Sequence, residues 1–123
     1  MPHLVLEYSS NLSQKKHLEQ LFPLLHQTVA LISSANLESC KTRVIEQTSY
    51  YIGDGQTSNA FVHLEIRLAE GRTLLVKKDL GEKMLEILRL HFSNSLKDFH
   101  LQITVEVKEF QKNLYFKIPS GSV

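Results

Sequence analysis

Apolar residues recur along this chain with two periods, one of two residues and one of about 3.6, and they do so twice in the same order. Leu4, Leu6 and Tyr8 share one face of a strand that Ser9-Ser10-Asn11 breaks. Leu18, Leu21, Phe22, Leu25, Val29 and Ile32 then recur at helical spacing, with Ser13 as N-cap candidate and Ser33-Ser34-Ala35-Asn36 as the end. Pro23 lies inside this stripe and predicts a kink or a split, because it lacks an amide hydrogen and crowds the preceding turn. Thr42 to Tyr51 reads as a second strand, and Gly53-Asp54-Gly55 as a turn with Asp54 as its former.

The pattern then repeats. Ala60 to Leu68 is a third strand, with Val62, Leu64, Ile66 and Leu68 on one face and His63, Glu65 and Arg67 on the other. The Ala69-Glu70-Gly71-Arg72-Thr73 turn leads into a second helix whose inner stripe is Leu80, Met84, Ile87, Leu88, His91 and Phe92. Leu101, Ile103, Val105 and Val107 mark a fourth strand, and the tail from Gln111 brings Leu114, Tyr115, Phe116 and Ile118, which predicts that it packs. The order β-α-β-β-α-β, with halves at about 2–55 and 60–115 offset by about 59 residues, gives two βαβ units. The fold class is α/β (α+β): a four-stranded mixed sheet with two helices on one face, in a single domain spanning 1–123. Two helices leave the other sheet face open, so a partner is expected there and oligomerisation follows.

Composition narrows the partners. Lys plus Arg is 14 and Asp plus Glu is 13, a net charge of +1, which argues against a basic footprint for nucleic acid. Cys40 is the single cysteine, so an intrachain disulfide is impossible and nothing implies an oxidising compartment. It reads as inert. The histidines are scattered, without zinc-ligand spacing, so no metal is expected. No apolar run approaches the roughly 18 residues of a membrane span, and the start lacks the pattern of a signal peptide. A soluble cytoplasmic protein is expected.

Chemistry enters at Pro2. Removal of Met1 turns its nitrogen into a secondary amine, able to move protons or to attack carbonyl carbon. With Met1 attached, that nitrogen is a tertiary amide with no useful basicity. In a βαβ unit the two strands are parallel, so their starts lie at one end. Pro2 opens the first strand, and Arg43 begins the second in Lys41-Thr42-Arg43-Val44-Ile45. Arg72 precedes the second helix, a poor place for a cation on local grounds. Taken singly, Arg43 and Arg72 read as surface charges. Lys41 is a third candidate cation. His63 reads as a histidine bonded within the sheet, and Tyr50 and Tyr51 as packing residues.

Together these residues resemble the tautomerase superfamily. The opening Met1-Pro2-His3-Leu4-Val5-Leu6-Glu7-Tyr8-Ser9-Ser10-Asn11-Leu12 is similar to that of 5-carboxymethyl-2-hydroxymuconate isomerases, as is Gly53-Asp54-Gly55-Gln56 followed by Ala60-Phe61-Val62-His63. Gly71-Arg72 stands at the family's spacing, and Arg72 and Arg43 also match two motifs of the shorter 4-oxalocrotonate tautomerases. An arginine commonly occupies the place of Lys41 in the isomerase pattern. The resemblance runs from Met1 to about Tyr115.

The resemblance implies an enol-keto isomerase of aromatic catabolism, in the homoprotocatechuate pathway. Its substrate would be a polycarboxylate dienol. Pro2 would be the base, with Arg43, Arg72 and Lys41 as anchors and no cofactor. It also implies a homotrimer with sheets inside and helices outside. The same residues are compatible with a decarboxylase or a dehalogenase. The bare element order also fits a non-enzymatic ferredoxin-like binding module, although the third strand has one aromatic, Phe61, where an RNA-binding version needs several.

Overall fold

The period-two segments pair into one four-stranded sheet in a computed structural model, which describes residues 1–12 and 15–121. The strands are β1 (His3–Ser9), β2 (Lys41–Gln47), β3 (Asn59–Ala69) and β4 (His100–Phe110), in the order β2-β1-β3-β4. β1 runs parallel to β2, and β3 parallel to β4. The two parallel pairs meet through an antiparallel seam between β1 and β3, with Leu4 opposite Ile66 and Leu6 opposite Leu64. The expected mixed sheet of two βαβ units is therefore present.

Two helices cover one face: α1 (Phe22–Ser33) and α2 (Leu74–His91). Leu25 and Val29 of α1 and Leu80, Met84 and Leu88 of α2 are buried with Leu4, Leu6, Val62, Leu64 and Ile66 of the central strands. Each such aliphatic side chain contributes about 1.5–3 kcal/mol by leaving water. The other face presents His3, Val5 and Glu7 of β1, Phe61, His63, Glu65 and Arg67 of β3, and Thr104, Glu106 and Lys108 of β4. Among the described residues no helix is long and apolar enough to cross a membrane.

Several boundaries differ from expectation. The first helical stripe splits, as Pro23 predicts. A 3-10 segment, Lys15–Gln20, has a non-helical residue at His17 (φ −120°, ψ 29°), and α1 begins only at Phe22. Pro23 then sits in the first turn, where a missing amide hydrogen costs nothing. The N-cap proposed at Ser13 lies outside the described residues.

β2 stops at Gln47 rather than Tyr51. It is an edge strand, and its partner β1 ends opposite it at Ser9. Tyr50 and Tyr51 consequently lie in a loop. Tyr51 is 79% exposed and is no core residue. Asp54 does form the turn, accepting from the Gln56 backbone amide at 3.2 Å and the Asn59 side-chain amide at 2.9 Å.

A short α3 (Ser93–Asp98), unforeseen, follows α2. The tail packs through Tyr115 alone of the four expected residues. Leu114, Phe116 and Ile118 are 65%, 86% and 91% exposed. An apolar side chain predicts burial only if the backbone returns it to the core, and here it does not.

Gly81 lies inside α2, and a Cβ added there meets Val107 Cγ2 at 3.7 Å, ordinary van der Waals contact. Gly81→Ala therefore keeps the packing and removes backbone freedom from the unfolded chain. Its expected effect is a gain of about 0.5–1 kcal/mol in urea unfolding. A loss would show that the helix cannot accept the methyl group.

Candidate active site

Topology gathers the chemistry at one end of the sheet. Parallel pairing sets the start of β2 beside the start of β1, where the Lys41 amide donates to the Pro2 carbonyl at 3.1 Å. The antiparallel seam brings the end of β3 to the same place, with Arg67 opposite His3. The turn after β3 delivers Arg72, and β4 ends there too, with Phe110 opposite Ala69. Gly71, at φ 120°, makes this turn in a conformation that other residues rarely adopt.

Arg72 is half-buried and fixed by backbone. Its Nε donates to the Ser33 carbonyl at 3.0 Å and its Nη1 to the Ala69 carbonyl at 3.1 Å. Ser33 is the last residue of α1, so this cation caps a helix C-terminus, where positive charge is favoured. The conflict expected from its place before α2 is thereby offset by a second helix. α2 has its own N-cap, the Thr73 hydroxyl, which accepts from the Val76 amide at 3.3 Å.

Pro2 is buried. The free amine belongs to Met1 and is held below the usual α-amine range. Burial is the largest cause, and Arg72, Lys41 and Lys117 also act against its protonation while Cys40 acts in its favour. Arg72 and Lys41 are thus the predicted cations that this end of the sheet places around the amine. Lys41 is exposed, with its Nζ donating to the Ser39 carbonyl at 3.0 Å.

Arg43 stands elsewhere. Opposite Val5, it lies on the face away from the helices, and its Nη1 donates to His3 Nδ1 at 3.0 Å. A guanidinium only donates, so Nδ1 of His3 is the acceptor and Nε2 carries the proton. That proton is directed at the Tyr115 hydroxyl oxygen, 2.6 Å away. Tyr115 in turn stacks on Phe110, ring centroids 4.3 Å apart.

His3 and Tyr115 were not singled out from sequence, although parallel pairing of β1 with β2 puts His3 on the face of Arg43. His63 is bonded within the sheet, Nδ1 lying 2.6 Å from the Thr104 hydroxyl. Cys40 is buried, and burial raises its thiol. Among the described residues no group of three or more His, Cys, Asp or Glu is placed to hold a metal.

Comparison with known proteins decides the family. A family profile described as 5-carboxymethyl-2-hydroxymuconate isomerase matches residues 2–120. The chain belongs to this isomerase family. The family lies in the tautomerase superfamily, and its reaction class sets aside the non-enzymatic binding module.

A 5-carboxymethyl-2-hydroxymuconate Delta-isomerase of Escherichia coli is 29% identical over 117 residues, covering 95% of this chain and 93% of the relative. The crystal structure of a 5-carboxymethyl-2-hydroxymuconate isomerase from Deinococcus radiodurans R1 superposes with a TM-score of 0.88 at 28% identity, over 95% of this chain and 88% of that one. A fused 4-OT protein, described as a symmetric trimer, shares the fold with a TM-score of 0.75 at 18% identity, over 98% and 94% of the two chains.

His3 supplies a test of this geometry. Its pKa is lowered from 6.5, first by burial, then by Arg43, Lys41 and Arg67. The unfolded chain therefore binds the extra proton more readily than the folded one. Stability contributed by neutral His3 is complete above about pH 6.5 and is lost as pH falls through that value toward the folded pKa. His26, also lowered by burial, adds in the same direction. His3→Gln should flatten the fall in urea-unfolding free energy between about pH 7 and 5 without abolishing it. A slope identical to that of the wild type would refute the assignment.

Proposed function

We propose that the chain, once Met1 is removed, ketonises 5-carboxymethyl-2-hydroxymuconate or a closely similar unsaturated 2-hydroxy acid, with Pro2 as the proton-transfer base. The observation that carries this reading is the partly buried N-terminal amine beside Arg72 and Lys41, in a chain of this isomerase family. Removing Met1 shifts the amine one residue inward, onto buried Pro2.

A base must be unprotonated at working pH to accept a proton. Burial and neighbouring cations disfavour the ammonium form and so keep the amine free. The base takes the proton of the 2-hydroxyl as the electrons shift toward C-5, and the proton is then delivered to C-5. No atom is added or lost.

The arginines meet the opposite need. A dienol with several carboxylates must be held and its developing oxyanion stabilised. A guanidinium has five donors, and two of those of Arg72 are engaged with the Ser33 and Ala69 carbonyls. The rest are available to the 1-carboxylate and the 2-oxygen, in a side chain that is already oriented. Lys41 and Arg43 serve the distal carboxylates. A homotrimer with the sheets inside accounts for the open face and for the two unpaired edge strands.

The deciding experiment is the ultraviolet-monitored ketonisation rate of 5-carboxymethyl-2-hydroxymuconate, using protein shown by intact mass to begin at Pro2. Rapid turnover is expected, with an acidic limb in kcat/KM below the usual α-amine range of about 7.7–8.0. Pro2→Ala should lower kcat by about 10²–10⁴-fold. Full activity in Pro2→Ala would remove the proposed base, and no turnover by the wild type would remove the substrate.

Light scattering on a sizing column gives a separate check of assembly. Three times the chain mass is expected, and a monomer at micromolar concentration would overturn the trimer.

A further inference from the structure

α1 lies at the surface and contains no Asp, Glu, Lys or Arg, whereas seven of the 18 residues of α2 are charged. The inner side of α1 is spent on the core, through Leu25 and Val29. Its outer side is apolar as well, with Leu24 47% and Leu31 84% exposed. Leu24, Thr28 and Leu31 stand at i, i+4 and i+7 and so form one outward stripe. Thr28 adds no polar demand, because its hydroxyl donates to the Leu24 carbonyl at 2.7 Å. A helix that is apolar on both sides calls for cover on both.

α2 completes a groove beside this stripe. Leu31 and Ile32 of α1 and Leu75 and Val76 of α2 line an open cavity of about 740 Å³, and Leu75 is 78% exposed. Asp79 and Lys83 stand in the same groove, their charged groups 3.7 Å apart and more than half exposed. One carboxylate and one ammonium leave the rim without net charge, which gives a strongly acidic or basic partner no advantage. The rim does suit a copy of itself. Across a two-fold axis the same patch lies on both sides, and each Asp79 meets Lys83 of the second copy. Contact through the open sheet face leaves this groove in water, because the helices cover the opposite side of the sheet.

We propose that the outer groove of α1 and α2 is a second self-association surface, on which a second copy of this chain seats by two-fold symmetry. Leu31 and Leu75 of each copy enter the groove of the other, and Asp79 of each stands opposite Lys83 of the other. The contact is independent of the proposed reaction and pairs whichever unit the sheet face builds. Few leucines leave water against the entropy cost of association, so the contact is weak. It is half-formed at about 0.1–1 mM and absent at micromolar concentration.

Sedimentation velocity on the full chain, from about 10 μM to about 2 mM, reads the contact. The average mass should rise with concentration above that of the unit present at the dilute end. Leu31→Glu, at an exposed position, should weaken the association at least about tenfold, and the uncharged Leu31→Ser should act in the same direction by less. Asp79→Lys and Lys83→Asp should each weaken it about three- to tenfold, because each sets like charges across the axis. An equimolar mixture of those two variants should associate as well as the wild type, since every cation then faces an anion. Unchanged circular dichroism in each variant would place the loss in the contact and not in the fold.

A mass that stays constant across the range would overturn the proposal. So would association that survives Leu31→Glu, or a mixture that associates no better than its two components. Flotation with phosphatidylcholine vesicles decides the rival cover. Vesicle binding that Leu31→Glu abolishes, in a protein that does not self-associate, would assign the groove to a lipid surface and refute the two-fold contact.

Discussion

The antiparallel seam between β1 and β3 is the constraint on which the rest depends. Each βαβ unit alone would place its strand starts together, but the two units could then face any way. Pairing Leu4 with Ile66 and Leu6 with Leu64 fixes one orientation, because a shift of one residue would turn every buried side chain of β1 to the open face. In this register the starts of β1 and β2 meet the ends of β3 and β4. Pro2, Lys41, Arg72 and the post-β4 segment converge for that reason alone. The central core and the site are consequences of the same hydrogen-bonded pairing.

Convergence brings an electrostatic cost. Lys41, Arg67 and Arg72 share one end of the sheet, in a chain whose net charge is only +1. One device limits the penalty: the backbone carbonyls of Ser33, at the end of α1, and Ala69 hold the guanidinium of Arg72. The ammonium form of the N-terminal amine is disfavoured first by burial and then by Arg72 and Lys41. A structure selected for stability alone would spread these cations. Their concentration is the kind of local violation expected where charge must be ready for an anionic ligand.

Much of this was legible in the sequence, and the parts that were not share a cause. Strand alternation and the stripes of α1 and α2 depend on local periodicity, which a linear reading detects. Gly71-Arg72 was visible because a turn before a helix is also local. The face of Arg43 was not, since it depends on register: two residues beyond Lys41, it lies opposite Val5 and bonds to His3. The stop of β2 at Gln47 depends on where its partner ends. The tail misled for the opposite reason. Leu114, Phe116 and Ile118 carry a strong local burial signal, yet the segment is held by Tyr115, against Phe110 and His3, and by the Lys112 amide on Glu70.

His3 shows how the local and non-local levels join. Arg43 can only donate, so it dictates which ring nitrogen of His3 accepts and therefore where the proton lies. That proton faces Tyr115, and the tail is tied down by a choice made on β2. The start of β1 is then restrained by the Lys41 amide on the Pro2 carbonyl, by β3 along the seam and by Tyr115 through His3. Pro2 adds its own fixed φ. A proton-transfer base works only if its lone pair stays within hydrogen-bond reach of the substrate, and a chain terminus is ordinarily the least ordered part of a protein. Restraint from three directions converts that terminus into a defined position. Such restraint is what the proposed proton-transfer role of Pro2 requires.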